Sequence, residues 1–295
     1  MDPAIVVFGF GVGVLVGATG MGGGSLMTPL LILIFGIKPV VAVGTDLAYA
    51  AVTKTVGGWR HLTHGKVHKR LALWLAVGSC PGALTGVYVL DLLREAYGSG
   101  FDDLLIVLIS SALLLVGLLM LMRAMAVGEA ARRERGHLVM ETRHKVAAIA
   151  LGASVGFILG VTSAGSGTLI AVGLIVGFRL EPHLVVGTDV VHAAILMWVA
   201  AIAHLVSGNV DLGLTGTILI GSIPGVWLGA HWSTKLPADV LRPALAIVLI
   251  ASGLALLSKA GLAMPVAVLI GVPIVLALLV YLVNRSRNPV EAPTR

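Results

Sequence analysis

The chain has 295 residues, of which 58% are hydrophobic and only 12% are charged, with a formal net charge of +6. Soluble domains carry about 25% charged residues, so this composition excludes an ordinary water-soluble fold and predicts an all-α polytopic membrane protein. The single cysteine excludes an internal disulfide and a multi-cysteine metal site, and we expect no metal and no other cofactor.

The first part of the chain contains apolar stretches that predict a broken helical hairpin followed by three transmembrane helices. A helix needs about 20 residues to cross the hydrocarbon core of a bilayer. The hairpin covers residues 4–36, and the helices cover 39–64, 70–90 and 102–122. Together they form a first repeat over residues 1–122.

A basic connector over residues 123–144 leads to a second repeat over 145–257 with the same order of elements. These elements are a broken hairpin at 145–178 and helices at 182–207, 211–232 and 238–257. One extra C-terminal transmembrane helix, at 263–283, has no counterpart in the first repeat.

An internal duplication supports this division. When the sequence is shifted by 143 residues, segment 17–86 aligns with segment 160–229 without a gap, and 26 of the 70 pairs are identical. The Gly-Thr-Asp triplet at 44–46, for example, recurs at 187–189. Self-similarity of this extent indicates two copies of one structural unit.

The distribution of Lys and Arg orients the two repeats. Basic residues in short loops mark the cytoplasmic side, and here they follow the helix at 39–64, fill the connector and follow the last helix. The N-terminus is therefore predicted outside and the C-terminus in the cytoplasm. Because each repeat contains an even hairpin plus three crossings, the repeats are predicted to have inverted topology, a common transporter plan. Since this orientation accounts for the basic residues, no nucleic-acid partner is expected.

Each hairpin is interrupted by a glycine-rich segment within apolar sequence. At membrane depth, such backbone is tolerated only inside protein or beside water, and a helix that begins there presents unpaired N–H groups that can bind an anion. We predict that two half-helix N-termini meet at one small anion, with nearby hydroxyls as donors. The alternative is close helix packing through small residues. The predicted binding residues are Thr19, Gly22, Gly23, Gly24 and Ser25 in the first repeat and Thr162, Gly165, Ser166, Gly167 and Thr168 in the second.

These motifs resemble the TauE/SafE family. The resemblance rests on the duplicated glycine-rich break, the Gly-Thr-Asp triplet in a Pro-led helix, a His-x-x-x-Gly sequence near the end of that helix, and a Pro-Gly pair in the next helix. It covers residues 5–257 and implies a membrane protein that exports sulfite or organosulfonates, located in the cell inner membrane if the source is bacterial. The extra C-terminal helix lies outside it.

Asp46 and Asp189 lie at equivalent positions in the helices that begin at Pro39 and Pro182. Charged side chains at membrane depth usually face the bundle interior and have a function. Three roles fit an aspartate near an anion: exchange of a proton, coordination of a cation, or acceptance of hydrogen bonds from backbone N–H groups. Because burial disfavours a charged carboxyl group, we favour proton exchange.

Three further polar side chains are predicted to take part in coupling or gating. Lys54 follows Asp46 by two turns, and its counterpart in the second repeat is Met197. It is predicted to balance the charge of the anion or of an aspartate, with extension of its side chain to the cytoplasmic interface as the alternative. Tyr49 and His192 are repeat mates that follow the aspartates by one turn, and they are predicted to hydrogen-bond the substrate or a carboxylate.

The sequence therefore predicts a secondary transporter of small sulfur oxyanions that works by alternating access in a lipid bilayer, with protons as coupling partners. One alternative is an anion channel or a transporter of another small anion, because symmetric half-helices also form pores. A membrane enzyme is a third class, for which the sequence offers no metal-ligand spacing and no nucleophile motif. Neither the identity of the anion nor the oligomeric state follows from the sequence.

Overall fold

The computed structural model describes residues 2–19, 24–63, 67–130, 140–232, 238–262 and 264–287. This part of the chain contains eleven α-helices and no strand. The helices are α1 (Pro3–Thr19), α2 (Gly24–Ile34), α3 (Pro39–Thr63), α4 (Lys69–Tyr97), α5 (Phe101–Ala130), α6 (Thr142–Thr162), α7 (Ser166–Val176), α8 (Pro182–Val206), α9 (Leu212–Trp232), α10 (Ala238–Lys259) and α11 (Val266–Arg287). A 3₁₀ turn at Gly98–Gly100 joins α4 to α5.

Most of the long helices have the length and composition of membrane spans. Six stretches of the described chain meet this description: Lys69–Met125, which holds both α4 and α5, and one stretch each in α6, α8, α9, α10 and α11. The helices α1, α2 and α7 are apolar but shorter. The all-α polytopic membrane fold predicted from the composition is therefore confirmed.

The helix α4 continues to Tyr97, beyond its predicted end, and its last turns are hydrogen-bonded to the segment that follows α8. Ser207 Oγ donates a hydrogen bond to Asp91 Oδ2 at 2.8 Å. Arg94 Nη2 donates to Asn209 Oδ1, also at 2.8 Å. The apolar pattern marks the membrane-crossing part of α4 but gives no sign of these polar contacts.

The two repeats are interlocked through two close helix pairs, α1 with α9 and α4 with α6. Both contacts are lined by glycine at every fourth position, and a Cβ at any of these glycines would overlap the backbone of the facing helix. Small residues at this spacing let membrane helices approach closely. The glycines are Gly9, Gly13 and Gly17 on α1, Gly221, Gly225 and Gly229 on α9, Gly78, Gly82 and Gly86 on α4, and Gly152, Gly156 and Gly160 on α6.

At the centre, α3 and α8 pack against each other in antiparallel orientation. The backbone N–H of His68, just after α3, donates to Thr188 Oγ1 near the start of α8 at 3.0 Å. The backbone N–H of Asp211, after α8, donates to Thr45 Oγ1 near the start of α3 at 3.2 Å. These two bonds join equivalent residues of the two repeats, so the contacts follow an approximate two-fold relation. The orientation of the repeats across the membrane stays a prediction.

The last helix, α11, lies at the edge of the bundle. It packs mainly on α10, and none of the residues in its apolar stretch is buried. The helices α1 to α10 therefore form the core that positions the polar residues described next.

Candidate functional site

The break in the second repeat lies between α6 and α7. The helix α6 ends at Thr162, and α7 begins at Ser166. Between them, Ser163 has a φ angle of 59° and Gly165 has a φ angle of 99°. Glycine adopts positive φ at little cost, whereas serine does so rarely. One helix therefore ends here and another begins, and Gly165 occupies the position whose positive φ angle favours glycine.

The helices that follow the two breaks are short. Both α2 and α7 contain 11 residues, which corresponds to about 17 Å, against the roughly 30 Å of a hydrocarbon core. Their first N–H groups have no acceptor within the helix. Gly24 is the first residue of α2 and Gly167 the second of α7. Gly22, Gly23 and the side chain of Thr19 lie outside the described residues.

The start of α2 contacts the break of the second repeat directly. The backbone N–H of Gly165 donates to Ser25 Oγ at 3.3 Å. One turn further along α2, Thr28 Oγ1 lies 3.1 Å from Ser163 Oγ. The structure therefore brings the beginning of one half-helix to the beginning of the other, across the two repeats.

The remaining predicted hydroxyls of this segment are buried at the same place. Ser166 and Thr168, in the first turn of α7, are 5% and 9% exposed. Thr162 Oγ1 donates to the Ile158 carbonyl at 2.7 Å and accepts a bond from the Ala164 N–H at 3.3 Å. The hydroxyl proton of Thr162 is thus used to close the end of α6.

Asp46 is fully buried on α3, and its Oδ2 atom accepts two hydrogen bonds. Thr28 Oγ1 donates at 2.7 Å, and the Ser163 hydroxyl donates to the same oxygen. The other carboxylate oxygen, Oδ1, has no hydrogen-bond partner in the described part of the chain. Side-chain oxygens from α2, α3 and the break after α6 therefore meet at Asp46.

Asp189, the equivalent residue on α8, is buried in different surroundings. Its charge interacts with Lys54 on α3 and with Arg123 on α5. Lys54 is only 5% exposed, so its side chain lies inside the protein and does not extend to the surface. Neither Lys54 Nζ nor Asp189 Oδ1 has a hydrogen-bond partner among the described residues. The charges of two basic side chains therefore act on the second aspartate, whereas the first is hydrogen-bonded by hydroxyls.

Tyr49 and His192 are fully buried and face another pair of repeat mates, Ser222 and Ser79. His192 Nε2 and Ser79 Oγ share a hydrogen bond of 2.8 Å. Ser222 lies beside the Tyr49 hydroxyl, but within the described chain no hydrogen bond forms to that hydroxyl. His192 Nδ1 also has no partner there. These side chains leave polar atoms available in the middle of the bundle.

Comparison with known proteins identifies the family. Residues 5–256 match the family described as Sulfite exporter TauE/SafE. The chain belongs to this family. It is similar to the probable membrane transporter protein YjnA of Bacillus subtilis (strain 168), at 36% identity over 87% of this chain and 100% of the relative. It is also similar to YdhB of the same organism, at 30% identity over 86% and 99% of the two chains. A probable membrane transporter protein of Xylella fastidiosa (strain Temecula1) is 29% identical over 80% and 87%. No solved structure matches the chain.

The predicted resemblance to TauE/SafE proteins is thereby confirmed, and the chain is a multi-pass member of a membrane-transporter family. The TauE/SafE match ends at residue 256, within α10. The helix α11 begins after this region, so what the family shares lies in α1 to α10.

Four polar residues near this candidate site were not predicted as site residues from the sequence: Thr28, Ser79, Ser163 and Ser222. Single hydroxyls are common in membrane helices, because they bond to carbonyls of their own helix. Two of them had a usable signal, since Ser79 and Ser222 are repeat mates beside the Pro-Gly pair. Thr28 and Ser163 had none, because their repeat mates carry no hydroxyl.

Proposed function

We propose that this chain is a secondary transporter that exports small sulfur oxyanions, such as sulfite or organosulfonates, by alternating access. The anion binds between the N-termini of α2 and α7 near the membrane midplane, and it leaves chemically unchanged. In this proposal the protein is in the bacterial inner membrane, with its N-terminus outside and its C-terminus in the cytoplasm. The family to which the chain belongs supports the class of function.

The observation that carries the proposal is the contact between the two breaks, from Ser25 to Gly165. Two helix N-termini at one place combine their partial positive charges, and each supplies N–H groups without intrahelical acceptors. Hydroxyls of Ser166 and Thr168 add neutral donors. Such a set stabilises a small oxyanion with several acceptor oxygens and selects for charge and size rather than for one compound.

Lys54 and Asp189 provide a means to couple the anion to a proton. In the proposed cycle, the anion contacts Lys54 and weakens the electrostatic attraction of Lys54 for Asp189. A buried carboxylate without a counter-charge is costly, so Asp189 takes up a proton, with Arg123 as the other basic group that faces it. When the anion leaves, Lys54 returns to Asp189 and the proton is released.

The membrane potential favours the proposed direction only for substrates that carry more negative charge than the coupled proton cancels. Each net negative charge that leaves an inside-negative cell is worth about 2.3 kcal/mol for each 100 mV, so the potential drives a doubly charged anion, whereas a singly charged anion that leaves with a proton moves down its own concentration gradient. Orientation is testable with single cysteines in a Cys80→Ser background, one at Gly98 and one in the connector 128–136. We expect membrane-impermeant reagents to label the two from opposite sides. Labelling from the same side contradicts the inverted topology.

A channel or a carrier of another small anion is the second candidate, supported by the same pair of half-helices. The proposal predicts saturable flux of radiolabelled sulfite into proteoliposomes, competed by organosulfonates. Currents far above carrier rates would instead establish a channel, and competition by unrelated anions alone would move the substrate to another class.

A substitution at the break tests the binding site itself. Gly167→Leu is expected to abolish sulfite flux because its side chain fills the space at the start of α7. The matched control is Gly11→Leu, because a Cβ at Gly11 meets nothing within 4 Å, and this variant should transport normally. Normal transport by a folded Gly167→Leu protein would exclude the anion from this place.

A further inference from the structure

We propose that Asp46, Thr28 and Ser163 form a binding site for a sodium ion. Three side-chain oxygens meet there: Thr28 Oγ1 is 2.7 Å from Asp46 Oδ2 and 3.1 Å from Ser163 Oγ, and the Ser163 hydroxyl contacts the same carboxylate oxygen. The three residues are at most 2% exposed. Oxygen atoms are the ligands that hard cations prefer.

The charge of Asp46 calls for a partner that the described chain does not supply. The basic groups Lys54 and Arg123 act on Asp189, whereas the interactions of Asp46 in the described residues are with hydroxyls and with the backbone of Thr28. Its Oδ1 atom is buried without a hydrogen bond. A carboxyl group in such a place is either protonated or balanced by a cation. In our proposal a cation from solution competes with the proton for Asp46.

The end of α6 adds a second source of negative potential. Ser163 is the residue that caps the C-terminus of α6, where the last carbonyls lack intrahelical donors and carry the negative end of the helix dipole. In transporters with broken helices, unwound carbonyls and half-helix C-termini bind the coupling cation, while half-helix N-termini face the anionic substrate. The break between α6 and α7 offers both ends within a few residues.

The composition of the site favours a small monovalent ion. One carboxylate supplies a single negative charge, and the described residues show no cluster of acidic, histidine or cysteine side chains for a multivalent metal. The oxygens lie within hydrogen-bonding distance of one another, so a small ion needs less movement of α2 and α3 than a large one. The two hydroxyls then turn their O–H bonds away from Asp46 and present their lone pairs to the ion.

The second repeat has no such site. The residues equivalent to Thr28 and Ser163 are Ala171 and Gly20, and neither carries a hydroxyl. Asp189 therefore serves as a control for Asp46, because it is the same residue at the equivalent position and lacks the two hydroxyl ligands.

The test is equilibrium binding of ²²Na⁺ to the purified full-length protein in detergent, without any anionic substrate, so its outcome does not depend on the proposed transport. We expect saturable binding that unlabelled Na⁺ displaces and choline does not. Asp46→Asn, Thr28→Val and Ser163→Ala should each weaken it at least tenfold. Thr28→Ser, which keeps the hydroxyl, should bind like the original protein, as should Ser154→Ala, whose hydroxyl bonds only to its own helix at Ala150.

Each variant is checked for folding by gel filtration and thermal unfolding, and Thr28→Ser provides a folded comparison at the same position. Absence of ²²Na⁺ binding by the original protein overturns the proposal and leaves Asp46 to a proton or to a purely structural role. Unchanged binding by folded Thr28→Val and Ser163→Ala also overturns it. Loss of binding in Asp189→Asn but not in Asp46→Asn would place the ion in the other repeat.

Discussion

The two repeats present the same Gly-Thr-Asp triplet at the same position, but the two aspartates have different neighbours. Asp46 is bound by the hydroxyls of Thr28 and Ser163. Asp189 interacts with the basic side chains of Lys54 and Arg123. The repeat therefore places a carboxylate at the same position in each half, and the different residues around the two carboxylates give them different chemistry.

The framework around these residues is alike in the two repeats. Glycines at every fourth position hold α1 against α9 and α4 against α6, and the bonds to Thr45 and Thr188 are equivalent. At a glycine contact the facing backbones leave no room for a side chain in either repeat. At a polar site, one substitution is enough to change what the site binds. The symmetric framework and the asymmetric site thus follow from different physical constraints.

The largest expected effect concerns the interaction between Asp189 and Lys54. Asp189→Asn removes the negative charge that acts on buried Lys54 and should lower the free energy of unfolding, because a buried cation without a counter-charge is costly. Lys54→Met, which introduces the residue found at the equivalent position Met197, should restore much of this stability when combined with Asp189→Asn. Denaturant unfolding in detergent measures both.

The contrasting variant is Asp46→Asn, which leaves no buried cation without a counter-charge. In sodium-free buffer it should lower the free energy of unfolding clearly less than Asp189→Asn does. The account is contradicted if the two single variants lose equal stability and if the effects of Lys54→Met and Asp189→Asn are additive. That result would show that the two carboxylates have equivalent surroundings.

A smaller and equal effect is expected at the glycine contacts. Gly78→Ala and Gly221→Ala place a methyl group against the facing backbone and should each lower stability by about 1–3 kcal/mol, the usual cost of overpacking. In α9, Gly216→Ala is the control, because a Cβ there meets nothing within 4 Å. A large loss at one repeat mate and none at the other would refute a symmetric framework.

The smallest effect distinguishes Ser79 from Ser222. Ser79→Ala removes the hydrogen bond to buried His192 and should cost about 1 kcal/mol or slightly more. Ser222→Ala should cost less, because no hydrogen bond forms to the Tyr49 hydroxyl in the described structure. The same unfolding measurement decides this, and a reversed order would contradict the assigned contacts.

Several features of the molecule could be predicted because they are visible in the sequence as rare residue types or regular spacings. Charged residues are rare in apolar helices, so Asp46, Asp189 and Lys54 stand out, and the repeat pairs each residue with its mate. The glycine contacts are also visible in the sequence, because glycine recurs at every fourth position in four helices, whereas the packing alternative given above concerns the breaks alone.

Other features are not visible in residue types or spacings. Helix partners across repeats, such as α1 with α9, depend on three-dimensional packing that apolar sequence does not specify. The same holds for Lys54, because the sequence does not decide between the anion and the two aspartates as its partner. Thr28 and Ser163 matter only because α2 and the break after α6 meet at Asp46.

The central claim is that the two equivalent aspartates have different roles, one toward sodium and one toward protons. Its most direct test is sulfite flux in proteoliposomes with sodium and pH gradients imposed separately. We expect Asp46→Asn to lose the response to the sodium gradient and keep the response to pH. Asp189→Asn should keep the sodium response, but its pH-driven flux should fall at least about tenfold, equivalent to ~1.4 kcal/mol in a barrier. If both variants lose the same response, or if neither loses any, the assignment of separate roles is wrong.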